Sequence, residues 1–204
     1  MAHCGPDRPQ SCVHFRKWTI DDGPLVWDDK EVWREIGDDL EQGDVPGAAG
    51  TLRRFLEYSA SELFGKLRAS IEFRGDAQYD FGELMPALIA TWRELLARTQ
   101  EAAQSWGKKD EVTRISALQK EFASRVARSQ VEQWAINKSI HYNQWAHLQQ
   151  DEFRYVVEAF RLLLESFQCE ACTGYVYVTP PKGSREGVRC DCGTYALNLK
   201  RKTV

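Results

Sequence analysis

The chain has 204 residues and a mass of 23.4 kDa, enough for one ordinary domain or one domain with a small appendage, which excludes a large multidomain enzyme. Hydrophobic residues make up 43% and charged residues 28% of the chain, so it can bury a core and is not compositionally disordered. The formal net charge of -3 argues against a broadly basic protein that coats polyanions, although a local basic patch is compatible with this total.

The start of the sequence lacks the charged region followed by an apolar region that marks a secretory signal peptide. No apolar run approaches the ~18 residues that a membrane-spanning helix requires. The six cysteines are therefore expected to be reduced thiols. The sequence predicts a soluble, cytoplasmic protein without membrane association.

The pattern divides the chain into three parts. Residues 1–27 contain three prolines, two cysteines and no sustained periodicity, which predicts an irregular N-terminal arm held to the body by Trp18 and Trp27. Residues 28–168 carry helical periodicity and form the predicted helical domain. Residues 169–204 combine clustered cysteines with short alternating segments, which predicts a small zinc ribbon.

The helical domain begins with a helix from Asp28 that stops at Gly43, because glycine is favoured just beyond a helix end. Asp44 is a suitable N-cap for the next helix, an amphipathic segment of about six turns that precedes a break at Gly75 and Asp76. The last helix of the domain, residues 151–167, has one broad apolar face, which is the strongest helix signal in the chain. This face indicates core packing rather than a cofactor site.

Two long helices lie between these segments, one from about Phe81 to Gln104 and one that ends at about Trp145. The short connection at residues 106–110 requires them to run antiparallel. They form either a protruding hairpin or an internal pair of a bundle, and their apolar seam is too short to predict a sustained coiled coil. The predicted fold class is mainly α, an antiparallel helical bundle or hairpin with a small C-terminal β zinc ribbon.

Four cysteines lie within 24 residues near the C-terminus: Cys169, Cys172, Cys190 and Cys192. A CxxC pair and a CxC pair supply four thiolates, which satisfy the tetrahedral preference of Zn²⁺ at ~2.3 Å. Residues 175–179 alternate as a strand, residues 180–183 turn the chain, and residues 194–199 alternate again. An extended CxC segment would point both sulfurs to the same side. The sequence therefore predicts one structural Zn²⁺ site.

A redox dithiol and a pair of disulfides are the alternative uses of these cysteines. A redox CxxC normally opens a helix in a thioredoxin-like fold, whereas this one follows a helix, which favours zinc. Four protein ligands close the coordination sphere, so the metal would contribute folding energy and leave no position for a catalytic water. The common nucleotide-binding, zinc-protease and serine-hydrolase motifs are absent from the sequence, and no catalytic or cofactor-binding residue is predicted.

Nucleic-acid binding is the second function that the ribbon permits. Residues 169–204 contain six basic and three acidic residues, but a Zn²⁺ with four thiolates carries a net charge of about -2, which leaves the ribbon at about +1. The candidate contacts are Lys200, Arg201 and Lys202. Tyr175, Tyr177 and Tyr195 would either stack on bases or form the small core of the ribbon, and the second interpretation is favoured. The sequence therefore predicts weak nucleic-acid binding.

Two further groups of residues have a metal-ligand composition. One consists of His3, Cys4, Cys12 and His14. A second metal site there is disfavoured because the segment is terminal and broken by prolines. The other group is His141 and His147, which are six residues apart, so a continuous helix would not place them on one face.

Four segments carry a resemblance to a known family: FRKWTIDDGPL at 15–25, GD at 43–44, LRRFLE at 52–57 and YDFGELMP at 79–86. Together they resemble the C-terminal portion of bacterial RecF/SMC-like ATP-binding proteins, some of which end in a similar helical segment. The chain lacks the phosphate-binding loop and the acidic nucleotide motif of that family, so ATP chemistry does not carry over. The resemblance implies an accessory piece or truncated relative that associates with machinery of DNA maintenance or defence.

Three function classes follow. The favoured one is a noncatalytic helical zinc-ribbon accessory protein or subunit that contacts a protein partner, and the resemblance implies an ATPase as that partner. The alternative is a nucleic-acid-binding zinc-ribbon protein. The third, with the least support, is an enzyme fragment that uses the thiols of Cys4 and Cys12.

Overall fold

The structure, a computed structural model, describes residues 15–20, 23–72, 79–140, 149–179 and 186–202. Within these ranges the chain forms five helices, an N-terminal two-stranded sheet and a C-terminal three-stranded sheet, both antiparallel. The helices are α1 (Asp29–Glu41), α2 (Val45–Leu67), α3 (Phe81–Ser105), α4 (Lys109–Ile140) and α5 (Gln150–Glu165). The strands are β1 (Phe15–Thr19), β2 (Gly23–Val26), β3 (Tyr177–Val178), β4 (Gly187–Arg189) and β5 (Ala196–Asn198). This architecture confirms the predicted fold class.

Local signals set the ends of the first helices as the sequence predicts. The carboxylate of Asp28 accepts a hydrogen bond from the Glu31 amide at 3.1 Å and caps α1. Asp44 caps α2 in the same way, and Gly43 between the two helices adopts the left-handed conformation (φ 76°) that glycine tolerates. The starts of α1 and α2 are therefore explained by capping residues at most three positions away from the amides that they bind.

Helices α3 and α4 form an internal pair of the bundle. Helix α4 packs against α2 and α5 as well as α3, and its Phe122 and Val126 are buried. The bundle interpretation is thus confirmed for the described residues, because a protruding hairpin would leave that face of α4 in solvent. Helix α4 continues to Ile140, and its predicted end near Trp145 lies outside the described residues, as does the predicted break at 75–76.

The apolar face of α5 is at the centre of the molecule. Phe153 is fully buried, as is Phe167 in the turn after the helix, which ends two residues earlier than predicted. Phe160 meets Phe81 of α3 with ring centroids 5.8 Å apart. The prediction that this face packs in the core is confirmed. None of the helices in the described ranges combines the length and the apolar composition needed to cross a membrane.

The N-terminal segment departs from the prediction of an irregular arm over residues 1–27. Strands β1 and β2 pair as an antiparallel hairpin whose second strand starts at Gly23, in a left-handed conformation (φ 71°). The hairpin was missed because its strands are short and one contains Pro24, which disfavours strand assignment. Trp27 stacks on Tyr58 at 5.1 Å, which confirms that it pins the segment to the helices, whereas residues 1–14 are outside the described ranges.

The C-terminal sheet shares its core with the helices. Its order is β3, β4, β5, and the buried side chains Val176, Val188 and Leu197 belong to the same cluster as the apolar faces of the bundle. The hydroxyl of Tyr175 donates a hydrogen bond to Ser59 on α2 at 3.1 Å, so this tyrosine packs toward the helices. The cysteine-bearing segment is therefore a packed part of the body.

We expect Gly187→Ala to destabilise this sheet. A Cβ atom at Gly187 would lie 2.4 Å from the backbone oxygen of Leu197 on β5, so the strands would have to separate. The expected loss in the free energy of unfolding is about 1–3 kcal/mol, measured by denaturant titration. Gly65→Ala is the matched control: it lies within α2 with no heavy atom within 4 Å of the new Cβ, and should stabilise by about 0.5–1 kcal/mol. Equal stability of the Gly187 variant and the parent would contradict the close approach.

Candidate metal centre

The structure brings together the sulfur atoms of all four C-terminal cysteines. The four ligand atoms lie within 4.8 Å of one another, with the Cys190 and Cys192 sulfurs 3.2 Å apart and those of Cys169 and Cys192 3.7 Å apart. Four thiolates at ~2.3 Å from a tetrahedral ion would be separated by roughly 3.8 Å. All four are free thiols, at distances far longer than a disulfide bond of about 2.0 Å. The donor set and its spacing fit one tetrahedral metal ion.

The first cysteine pair lies in a closed loop directly after α5. The Cys169 amide donates to the Gly174 carbonyl at 3.0 Å, and the Thr173 amide donates to the Cys169 carbonyl at 2.8 Å. Thr173 adopts a left-handed conformation (φ 56°) to make this turn. The loop thereby returns Cys172 toward Cys169.

The second cysteine pair occupies a turn between β4 and β5, which corrects the prediction of an extended CxC segment. The Gly193 amide donates to the Cys190 carbonyl at 3.1 Å, and Gly193 has a φ of 76°. The Tyr195 amide donates to the Cys190 sulfur, also at 3.1 Å. A tight turn, rather than the alternation of a strand, therefore directs Cys190 and Cys192 to the same point.

The surroundings of Cys192 favour its thiolate form. Hydrogen bonds from the side chain and then the backbone of Thr194 are the main causes that lower the pKa of Cys192 from 9.0 to about 6, with smaller contributions from Cys190 and Cys172. Burial is the main cause that raises the pKa of the neighbouring Tyr195 to about 12, so its hydroxyl stays neutral. A thiolate is the form that ligates metal ions.

The four cysteines differ in exposure. Cys169 and Cys190 are 2% exposed and belong to the core cluster, whereas Cys172 is half-buried and Cys192 is exposed. One side of the centre thus faces the apolar core and the other faces solvent. A metal ion there would tie the surface turns to the core.

An open cavity of about 910 Å³ lies beside the centre, between α3, α4 and the first cysteine loop. Arg125 on its wall donates to the Leu162 carbonyl at 2.8 Å and to the Ser166 hydroxyl at 3.2 Å, and pairs with Glu121. The guanidinium of Arg125 is therefore engaged in tying α4 to the end of α5.

The structure places the three predicted nucleic-acid contacts against the end of α3. The Trp106 indole donates to the Lys200 carbonyl at 3.0 Å, the Lys202 amide donates to the Ser105 hydroxyl at 2.8 Å, and Arg201 pairs with Glu101. Sequence reasoning missed these partners because they are about a hundred residues away and leave no local pattern. The basic tail is therefore docked, with one of its three charges paired.

The remaining candidate ligands lie outside the described residues: His3, Cys4, Cys12, His14, His141 and His147. Among the residues that are described, the four C-terminal cysteines are the group of metal-ligating side chains whose ligand atoms converge. The candidate site therefore consists of those four thiols.

Comparison with protein-family models, with curated proteins and with solved structures gives no significant match to this chain. The resemblance to RecF/SMC-like ATP-binding proteins stays a prediction.

Proposed function

We propose that this chain is a noncatalytic, zinc-stabilised helical accessory protein or subunit that contacts a protein partner. The observation that carries the proposal is the convergence of four free thiols at the spacing of a tetrahedral site. A set of four sulfur ligands selects Zn²⁺ or iron, and Zn²⁺ serves a purely structural role because it has no redox chemistry. One Zn²⁺ held by Cys169, Cys172, Cys190 and Cys192 would contribute folding free energy.

The donor set supports a structural rather than a catalytic metal. A catalytic zinc site keeps one coordination position for water or substrate, whereas four thiolates fill all four positions. Two of the four cysteines are also within the core cluster, where a bound metal ion would stabilise packing. The metal ion would therefore stabilise a surface to which another molecule binds.

Exposed aromatic side chains support the proposal that this chain binds a protein partner. Tyr155 on α5 is 64% exposed and Trp106 between α3 and α4 is 48% exposed, and aromatic residues are enriched among the side chains that dominate interface energy. The resemblance described above is the reason to propose an ATPase of DNA maintenance or defence as that partner. Helices α1 to α5 would then serve as the scaffold that presents these aromatic residues.

We expect weak DNA binding with a shallow salt dependence. Arg201 is paired with Glu101, which leaves few basic side chains of the tail to neutralise phosphates. A titration monitored by anisotropy across a range of salt concentrations should report release of about two or three counterions. Lys200→Glu with Lys202→Glu should largely abolish this binding, whereas the control Lys30→Glu with Lys120→Glu, exposed on α1 and α4, should not.

Nanomolar DNA affinity at physiological salt with a steep salt slope would overturn the proposal. The alternative function, a nucleic-acid-binding zinc-ribbon protein, would then take its place. The observation that favours this alternative is that Lys200 and Lys202 are exposed, without an acidic partner among the described residues.

A further inference from the structure

An exposed tryptophan and four lysines come together where the C-terminal tail crosses the turn between α3 and α4. We call this surface the Trp106 patch; it consists of Trp106, Lys108, Lys109, Lys200 and Lys202. Trp106 and Lys108 lie in the turn, and Lys109 is the first residue of α4. The tail supplies Lys200 and Lys202, about ninety positions later in the sequence. Their juxtaposition is a product of the fold.

Backbone hydrogen bonds, rather than the lysine side chains, hold the tail in place. The Lys200 carbonyl accepts from the Trp106 indole, and the Lys202 amide donates to the Ser105 hydroxyl. The side chain of Asn198 also donates to the Lys200 carbonyl at 3.0 Å and accepts from the Lys200 amide at 3.1 Å. The tail backbone is thus fixed by contacts that do not involve the ammonium groups of Lys200 and Lys202.

The patch has an excess of positive charge. Lys108 pairs with Glu111 at 3.2 Å, but the ammonium groups of Lys109, Lys200 and Lys202 have no acidic partner within 4.0 Å among the residues that the structure describes. The Lys202 ammonium lies 6.0 Å from the centre of the Trp106 ring, which is 48% exposed. The exposed ring therefore has one unpaired ammonium group beside it, with Lys109 and Lys200 nearby in the same turn and tail.

We infer that the Trp106 patch docks an acidic segment of a partner protein that carries an apolar or aromatic side chain; this inference rests on the proposed function. Charge complementarity speeds association and fixes register, while a half-exposed tryptophan supplies contact area at low entropic cost. Glu101 pairs with Arg201 and Glu111 pairs with Lys108, so acidic side chains lie among the basic ones. They would repel the regularly charged backbone of a nucleic acid, whereas a peptide can place neutral groups opposite them.

The patch is connected to the metal centre through β5. The second cysteine pair ends at Cys192, and six residues separate it from the start of the docked tail at Leu199. The Leu199 amide donates to the Glu186 carbonyl, and the Glu186 carboxylate pairs with Arg98 of α3 at 2.8 Å. Loss of the metal should therefore loosen the tail and weaken ligand binding at the patch.

The test uses the full chain, purified with its metal, and three fluorescent probes measured by anisotropy. The first is a short glutamate-rich peptide with one phenylalanine, the second is the same peptide with glutamine in place of glutamate, and the third is oligothymidylate. The acidic peptide should bind, and Lys200→Glu with Lys202→Glu should raise its dissociation constant by at least about tenfold. The matched control Lys30→Glu with Lys120→Glu should change it by less than about twofold.

Each other outcome has a defined meaning. Three results would contradict peptide docking at the Trp106 patch: equal weakening by the two double variants, equal binding of the glutamine peptide, or no binding of the acidic peptide. None of these results would affect the zinc site or the weak DNA binding. If oligothymidylate binds more tightly than the acidic peptide and with a steep salt dependence, both peptide docking at the Trp106 patch and the proposed function are contradicted. Trp106→Ala, checked for metal content and thermal unfolding, should weaken peptide binding without loss of metal.

Discussion

Replacement of Cys172 and Cys192 by serine should abolish stoichiometric zinc binding and lower the midpoint of thermal unfolding, while most of the far-UV helical signal persists at low temperature. Structural Zn²⁺ sites contribute apparent binding free energies of about 10–16 kcal/mol in small metal-folded peptides, so the ribbon would lose a large stabilising interaction. The helices retain a core of their own in α2, α3 and α5, where Phe55, Leu88 and Phe160 are buried. Metal analysis, circular dichroism and calorimetry measure the three effects.

The choice of these two ligands keeps the experiment interpretable. Cys172 and Cys192 are the more exposed pair, so a serine hydroxyl there is not forced into the apolar core as it would be at Cys169 or Cys190. The matched control is Glu170→Ser with Asp191→Ser, which changes two exposed residues of the same turns and retains all four thiols. Metal-free protein purified without chelators, or a double cysteine variant with unchanged unfolding, would contradict the zinc assignment. Collapse of the whole helical signal would instead mean that helices and ribbon fold as one unit.

Phe167→Ala should reduce the free energy of unfolding by about 3–5 kcal/mol. The side chain is fully buried between Trp92 of α3 and Phe122 of α4, with ring centroids 5.6 and 5.7 Å away. Its carbonyl also accepts a hydrogen bond from the Val176 amide at 2.9 Å, so the residue joins the bundle to the cysteine-bearing segment. Truncation leaves a cavity at the point where three helices and the ribbon meet.

Denaturant titration gives the free energies of unfolding of Phe167→Ala and Tyr155→Ala. Their comparison separates the loss of buried packing from the loss of any aromatic ring. Tyr155 is on α5 and 64% exposed, and its truncation should change stability by less than about 0.5 kcal/mol. We also expect faster metal release to a chelator from the Phe167 variant, since Cys169 follows two residues later in the chain. Similar stabilities of the two variants would show that Phe167 does not have the packing role described.

The sequence predicts those features that depend on neighbouring residues. Asp28 and Asp44 act as N-caps through amides three positions away, so the helix starts are visible in the sequence. For the same reason, the CxxC and CxC pairs identify the four cysteines that converge. The apolar periodicity of α5 also indicates a buried face without knowledge of what covers it.

Features that depend on distant partners are hidden from the sequence. The apolar seam of α4 predicts that Phe122 is buried, but not that it meets Phe167, two residues beyond the end of α5. Such contacts across α4 decide between a bundle and a protruding hairpin. The CxC turn depends on the left-handed conformation of Gly193 and on the Tyr195 amide that bonds the Cys190 sulfur. A spacing of two residues alone is equally compatible with a strand.

The hydrogen bond between Tyr175 and Ser59 also bears on the order in which the molecule assembles. The two residues are 116 positions apart in sequence, whereas the sulfurs of Cys169 and Cys192 belong to residues only 23 apart. Loop-closure entropy grows with the logarithm of loop length, so the longer closure is less favourable by about 1.4 kcal/mol. The turns that carry the cysteines can thus close on one another before they reach α2. The final step is then the docking of the ribbon onto the helices. The ribbon itself loses little further conformational entropy in that step.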